Sequence, residues 1–141
     1  MLPAHCFTYG SLMFAEVMFA VAAQTGLRAA PATLDGWQRF RIREVTYPAA
    51  LRSRHASRIE GMLWFDLSDE AWKRLDAFEG EVYNRVEVEV ESDSRRHRAW
   101  IYEYLKTDLV LAEDWDPKTF QQQHMTDFFR QHGAHLLSSA D

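Results

Sequence analysis

The residues of this chain best placed to do chemistry are one carboxylate, Glu79, and one turn dipeptide, Gly10-Ser11. Stepping about 100° per residue along 69–79 puts Ala71, Trp72, Leu75 and Phe78 in one arc, with Glu79 between Trp72 and Leu75. Asp69, Glu70, Lys73, Arg74 and Asp76 fall on the opposite side. A carboxylate aimed at an apolar core is either paired with a cation or held protonated with a raised pKa, and the second state suits a general acid/base. The plainer alternative is a helix-terminal acid reaching solvent past Gly80, the residue that stops the helix. Tyr83 and Arg85 share one face of the following strand, so a hydroxyl donor and a cation can lie near the acid, in a catalytic group or in a structural network. At Gly10-Ser11 an apolar strand stops and feeds a helix. That junction leaves several backbone N–H groups in one concavity, able to bind a carboxylate, a phosphate or a developing oxyanion.

Other reactive side chains lack a pattern. His124, His132 and His135 do not have the spacing of a recognised metal site, and they read as surface histidines. His5 and Cys6 alternate to opposite faces of a strand, so the thiol reads as a small buried side chain before a nucleophile. With no HExxH, P-loop or dinucleotide fingerprint, no metal and no nucleotide or nicotinamide cofactor is expected.

The elements that must position Glu79 and the Gly10 turn follow from periodicity. Residues 5–9 form a first strand, and the apolar stretch 12–22 a mostly buried helix ending at Gly26. Residues 28–43 run extended, with a bend at Gly36 and the period-two alternation of a half-buried strand from Trp37 to Arg43. Tyr47-Pro48-Ala49-Ala50 is extended because Tyr47 precedes proline, and 52–58 is a surface loop. The continuous apolar run 59–65 predicts a central strand buried on both faces. Ser68 caps the helix carrying Glu79, with Asp69 and Glu70 in its first turn. Val82, Val86, Val88 and Val90 mark the core face of a strand, and a turn at 92–96 returns it in a hairpin onto 99–105. Asp116-Pro117 opens a last helix, 118 to about 131, packing through Phe120, Met125, Phe128 and Phe129. The order β-α-β-β-β-α-β-β-α predicts an α+β fold with a small, curved or barrel-like mixed sheet flanked by helices.

Composition bounds the rest. With 141 residues, 47% of them hydrophobic, the chain is expected to form one domain over 1–141, with a loose tail from about residue 133. A single Cys precludes an intrachain disulfide, and with no charged-then-apolar leader the expected setting is reducing and cytoplasmic. No apolar run approaches about 18 residues, so no membrane-spanning helix is expected. A net charge of -5 speaks against nucleic acid as a partner. The arginines between 39 and 58 are locally basic, which fits a solvated strand face or a small anionic ligand.

Five stretches occur in a telling order: Phe7-Thr8-Tyr9-Gly10-Ser11-Leu12-Met13, Tyr47-Pro48-Ala49, Gly61-Met62-Leu63-Trp64, residues 75–85 with Phe78-Glu79-Gly80 and Tyr83-Asn84-Arg85, and Asp114-Trp115-Asp116. Together they resemble the γ-glutamylcyclotransferase-like family, in its AIG2-like branch, over about residues 7–129. The resemblance implies a small β-barrel flanked by helices, with Tyr9, Gly10, Ser11 and Leu12 as the pocket loop, Glu79 as the acid/base and Tyr83 as a further pocket residue. Pro48 and Arg85 enter as supporting positions. The implied reaction is intramolecular acyl transfer on a small γ-glutamyl compound, giving 5-oxoproline and a free amine without a cofactor. A non-catalytic module binding a small carboxylate, or another acyl or amine-lyase reaction on the same scaffold, stands beside it, because fold does not fix substrate.

Overall fold

The apolar N-terminal run folds as β1, Cys6–Thr8, buried along its whole length. The computed structural model describes residues 4–53, 56–127 and 130. After β1 the chain does not enter a helix directly. Gly10 leads a 3-10 turn, Ser11–Met13, and Phe14 is extended, so the helix α1 is confined to Ala15–Ala22. The expected single helix over 12–22 is therefore broken, because the Phe14 carbonyl starts a new helix by accepting from Val17 and Met18 while its ring stacks on Phe120. α1 ends at Ala23, in the left-handed region at φ 53°, before the expected stop at Gly26.

The extended segment after α1 splits at Gly36, whose φ of 82° glycine adopts without a Cβ penalty. β2, Ala29–Asp35, stays in the barrel; β3, Trp37–Arg41, leaves it and pairs with β4, Pro48–Arg52, with Arg41 opposite Pro48. β5, Arg58–Trp64, lies between β1 and β2. Its expected burial on both faces is not met: Ile59, Leu63 and Trp64 are buried, while Glu60 is exposed and Gly61 and Met62 are half-buried. One face of β5 fills the barrel, and the other is covered only toward Trp64, where Phe19 of α1 meets the indole edge.

The helix α2, Asp69–Glu79, begins where Ser68 accepts from the Ala71 amide. A 3-10 turn, Gly80–Val82, takes in Val82, and β6 starts only at Tyr83. β6, Tyr83–Ser92, and β7, Arg95–Tyr104, form the expected hairpin; Val90 is buried, Val86 and Val88 are half-buried, and Glu87, Glu89 and Glu91 are exposed. The C-terminal helix is irregular. An α-turn α3, Pro117–Thr119, passes into a π-turn, Phe120–His124, before helix resumes at 125–127. Phe120 is buried as expected; Phe128, Phe129 and the tail from 133 lie outside the described residues.

The strands close in the order β1-β5-β2-β6-β7, with β1 parallel to β7 and the other pairs antiparallel. This is the mixed β-barrel of an α+β fold that the periodicity predicts. Phe7, Ala32, Leu34, Leu63, Val90 and Ile101 belong to one core inside it. A second core packs Val17, Met18 and Val21 of α1 with Trp72 and Leu75 of α2 over Cys6, Trp64 and Tyr102. Among the described residues no helix is long and apolar enough to cross a membrane.

Gly61 lets β5 and β1 approach: a Cβ there would sit 2.8 Å from the Phe7 ring and collide with the Thr8 carbonyl oxygen. Gly61→Ala is expected to destabilise the fold by about 2–3 kcal/mol through overpacking of the barrel wall. Urea unfolding of the variant beside the parent checks this, and an unchanged midpoint would show that the wall can yield.

Candidate active site

Seating α2 on the barrel through Trp72 and Leu75 brings its last residue, Glu79, to the end of β1. There the Glu79 side chain lines a cavity of about 350 Å³, open mouth included, together with Tyr9, Gly10, Ser11, Leu12, Pro48 and Tyr83. Seven of the positions singled out in the sequence thus border one space. Phe7, Thr8, Tyr47 and Tyr102 complete it.

The polar groups around this cavity differ in whether the protein satisfies them. Tyr9 donates its hydroxyl to the Tyr102 carbonyl, Tyr83 donates to the Pro48 carbonyl at 2.7 Å, and Tyr102 donates to Asp76 Oδ1 at 2.7 Å. Burial pushes all three phenols above their ordinary range, so they remain protonated donors. Thr8 donates to the Met62 carbonyl and accepts from the Trp64 indole. Glu79 contrasts with these: among the described residues no group hydrogen-bonds its carboxyl or pairs with it. Loss of hydration, helped by the negative charge of Asp76, pushes it up from 4.5 to about 8.

The loop opposite is also unspent. The carbonyls of Gly10 and Ser11 accept from Met13 and Phe14 and close the 3-10 turn. Among the described residues no protein group accepts from the amides of Gly10, Ser11 or Leu12, and no side chain caps the turn. Gly10 is required by packing, since a Cβ there would stand 2.7 Å from Pro48 Cδ. An acid near neutrality facing a row of free amides can move a proton beside a bound anion.

Arg85 does not line the cavity. Its guanidinium donates to Asp76 Oδ2 at 3.2 Å and lies over the Trp72 and Trp100 rings, 4.6 and 4.9 Å from their centroids. Sequence reasoning missed Asp76 and Tyr102. Asp76 is three residues before Glu79 and hence its neighbour on the helix surface, although the wheel set it on the wet side. Tyr102 was findable from the hairpin, whose register sets it opposite Arg85. Cys6 is fully buried and its thiol pushed up by burial, which leaves it without thiolate reactivity. Among the described residues no cluster of His, Cys, Asp and Glu has the geometry to hold a metal ion.

The chain is thus a closed five-stranded barrel of an α+β fold with a helix-terminal acid and a Tyr-Gly-Ser-Leu turn lining one cavity. Residues 6–117 match the family model described as Gamma-glutamyl cyclotransferase, AIG2-like, and the chain belongs to that family. It is 30% identical to AIG2-like protein D of Arabidopsis thaliana over 128 residues, which cover 88% of this chain and 83% of the relative. A solution structure of an Arabidopsis thaliana protein shares the fold at a TM-score of 0.69 and 24% identity, covering 93% of this chain and 89% of that one. A structure named Gamma-glutamyl cyclotransferase shares it at a TM-score of 0.61 and 17% identity, over 71% of this chain and 65% of that one.

The raised acid carries a stability consequence. Between pH 4.5 and about 8 the folded chain holds a proton on Glu79 that the unfolded chain has released. The stability this group contributes is therefore complete below pH 4.5 and lost as the pH rises through about 8. Glu79→Gln removes that loss, so its stability relative to the parent should rise across this window, by roughly 2–4 kcal/mol at the alkaline end. Urea unfolding at pH 5 and pH 8.5 measures it, and a constant difference between parent and variant would mean an ordinary carboxylate.

Proposed function

We propose that this protein is a cofactor-independent γ-glutamylcyclotransferase. The observation that carries the reading is the Glu79 carboxyl, without a partner among the described residues and pushed up to about 8 by loss of hydration, in the same cavity as the Gly10 turn, whose amides are likewise unpaired among those residues. In the reaction the α-amine nitrogen of a γ-glutamyl compound attacks its own γ-carbonyl carbon. The C–N bond to the departing amine then breaks, giving 5-oxoproline and the free amine, with no water consumed. One proton must leave the attacking nitrogen and one must reach the departing nitrogen. A single carboxyl with a pKa near the working pH can perform both transfers in turn.

The amides of Gly10, Ser11 and Leu12 would hold the substrate's α-carboxylate, as an anion held by backbone donors. Attack within one molecule has a high effective concentration once the chain is bound in a bent form, so positioning supplies much of the rate. The tyrosine hydroxyls are already satisfied by protein carbonyls and by Asp76, and so act as walls that fix the shape of the space.

Glu79→Gln is expected to retain the fold and to lower 5-oxoproline release from γ-glutamyl amino acids or γ-glutamyl amines by at least about 100-fold. Chromatographic detection of 5-oxoproline over a panel of such compounds reads this out. Full activity in the variant rejects the acid/base role. Tight calorimetric binding of the same compounds by the parent protein, with no product over long incubation, would instead mark a binding module.

A further inference from the structure

The loop that would take the substrate's carboxylate is gripped from outside by the β3–β4 hairpin, which is not part of the barrel. From β4, the Pro48 ring presses on Gly10. From β3, Arg39 Nη1 donates to the Tyr9 carbonyl at 3.1 Å. The rest of the guanidinium is held as well. Its Nε and Nη2 donate to the Asp114 carboxylate at 3.0 and 3.4 Å, and its carbon lies 5.4 Å from the centroid of the Trp115 ring. Only 12% of the Arg39 side chain is exposed, against 50% of Arg41 two residues on. Asp114 reaches Arg39 because the segment before it runs along β3: the Arg41 amide donates to the Glu113 carbonyl, and the Leu111 amide to the Arg41 carbonyl. The solvated face read from the sequence thus does not hold at Arg39.

Arg39 borders an outer groove with Asp114 and is not among the residues lining the cavity. The Tyr9–Gly10 peptide, like every described one, is trans, so its carbonyl and its N–H lie on opposite edges. Resting on the functional reading above, we propose that Arg39 is a positioning residue for the carboxylate-binding turn: by holding the Tyr9 carbonyl outward it keeps the Gly10 amide turned to the cavity, where the substrate's α-carboxylate is received. The fork geometry matters, because one group must serve a carbonyl and a carboxylate together. A lysine ammonium on a flexible stem cannot replace that arrangement.

The test compares Arg39→Lys and Asp114→Asn with the parent protein. For Arg39→Lys, KM for a γ-glutamyl substrate should rise about tenfold while kcat stays within about threefold, the split expected when ground-state binding of a charged group is weakened. The Gly10 amide resonance should move in the ligand-free variant. Asp114→Asn alters an exposed side chain and leaves the guanidinium in place, so it guards against misfolding of the first variant; a smaller KM rise is expected. An unchanged KM in both variants, or a loss confined to kcat, overturns the inference. If the parent turns over no γ-glutamyl compound, the catalytic reading fails separately, and 5-oxoproline titrated against the amide resonances of Gly10, Ser11 and Leu12 decides. Binding by the parent that weakens about tenfold in Arg39→Lys upholds the positioning role; equal affinities, or no binding by the parent, overturn it.

Discussion

The rotational setting of α2 on the barrel is the constraint on which the site depends. Trp72 and Leu75 are buried with Val17, Met18 and Val21 of α1 in one core, and a helix so anchored cannot turn without exposing that apolar surface. Glu79, one turn beyond Leu75, is carried with them to a place where its carboxyl loses much of its water without gaining a partner among the described residues. Apolar burial of its neighbours offsets the cost of leaving an acid in that position. The same packing lays the Arg85 guanidinium over the Trp72 and Trp100 rings, where it is engaged with Asp76.

Around this acid the structure divides polar groups into satisfied and free. Tyr9, Tyr83 and Tyr102 each donate a hydroxyl to another protein group, which fixes three walls of the cavity. Glu79 and the turn amides have no protein partner among the described residues. Such a division favours rigid walls and a small number of open donors and acceptors, as expected where orientation of a bent substrate matters most. The β3–β4 hairpin extends the same logic outward, since Pro48 serves both Gly10, through its ring, and Tyr83, through its carbonyl.

Where the sequence reading failed, the reasons are local. Phe14 breaks the helix expected over 12–22 although no glycine or proline marks the place, because stacking on Phe120, more than a hundred residues away, favours an extended backbone there. The apolar run of β5 overstated its burial, since a short run cannot tell one covered face from two. Arg39 sits in an alternation of arginines that reads as a wet face, and only the return of residues 109–113 along β3 encloses it.

The sequence by itself determined the barrel-and-helix class, the inward aim of Glu79 and the end of the first strand at Gly10-Ser11, because period-two and period-3.6 burial and turn-forming residues are written in local residue order. Ordered motifs from Phe7 to Asp116 carried the family as well. Only the tertiary structure decided that Glu79 has no partner among the described residues, that Arg85 belongs to Asp76, that Tyr102 lines the cavity and that Arg39 reaches the Tyr9 carbonyl. Each of these depends on which of several nearby charges and hydroxyls meets which. Such competition is settled by distances of a few tenths of an ångström between segments remote in the chain, where sequence periodicity carries no information.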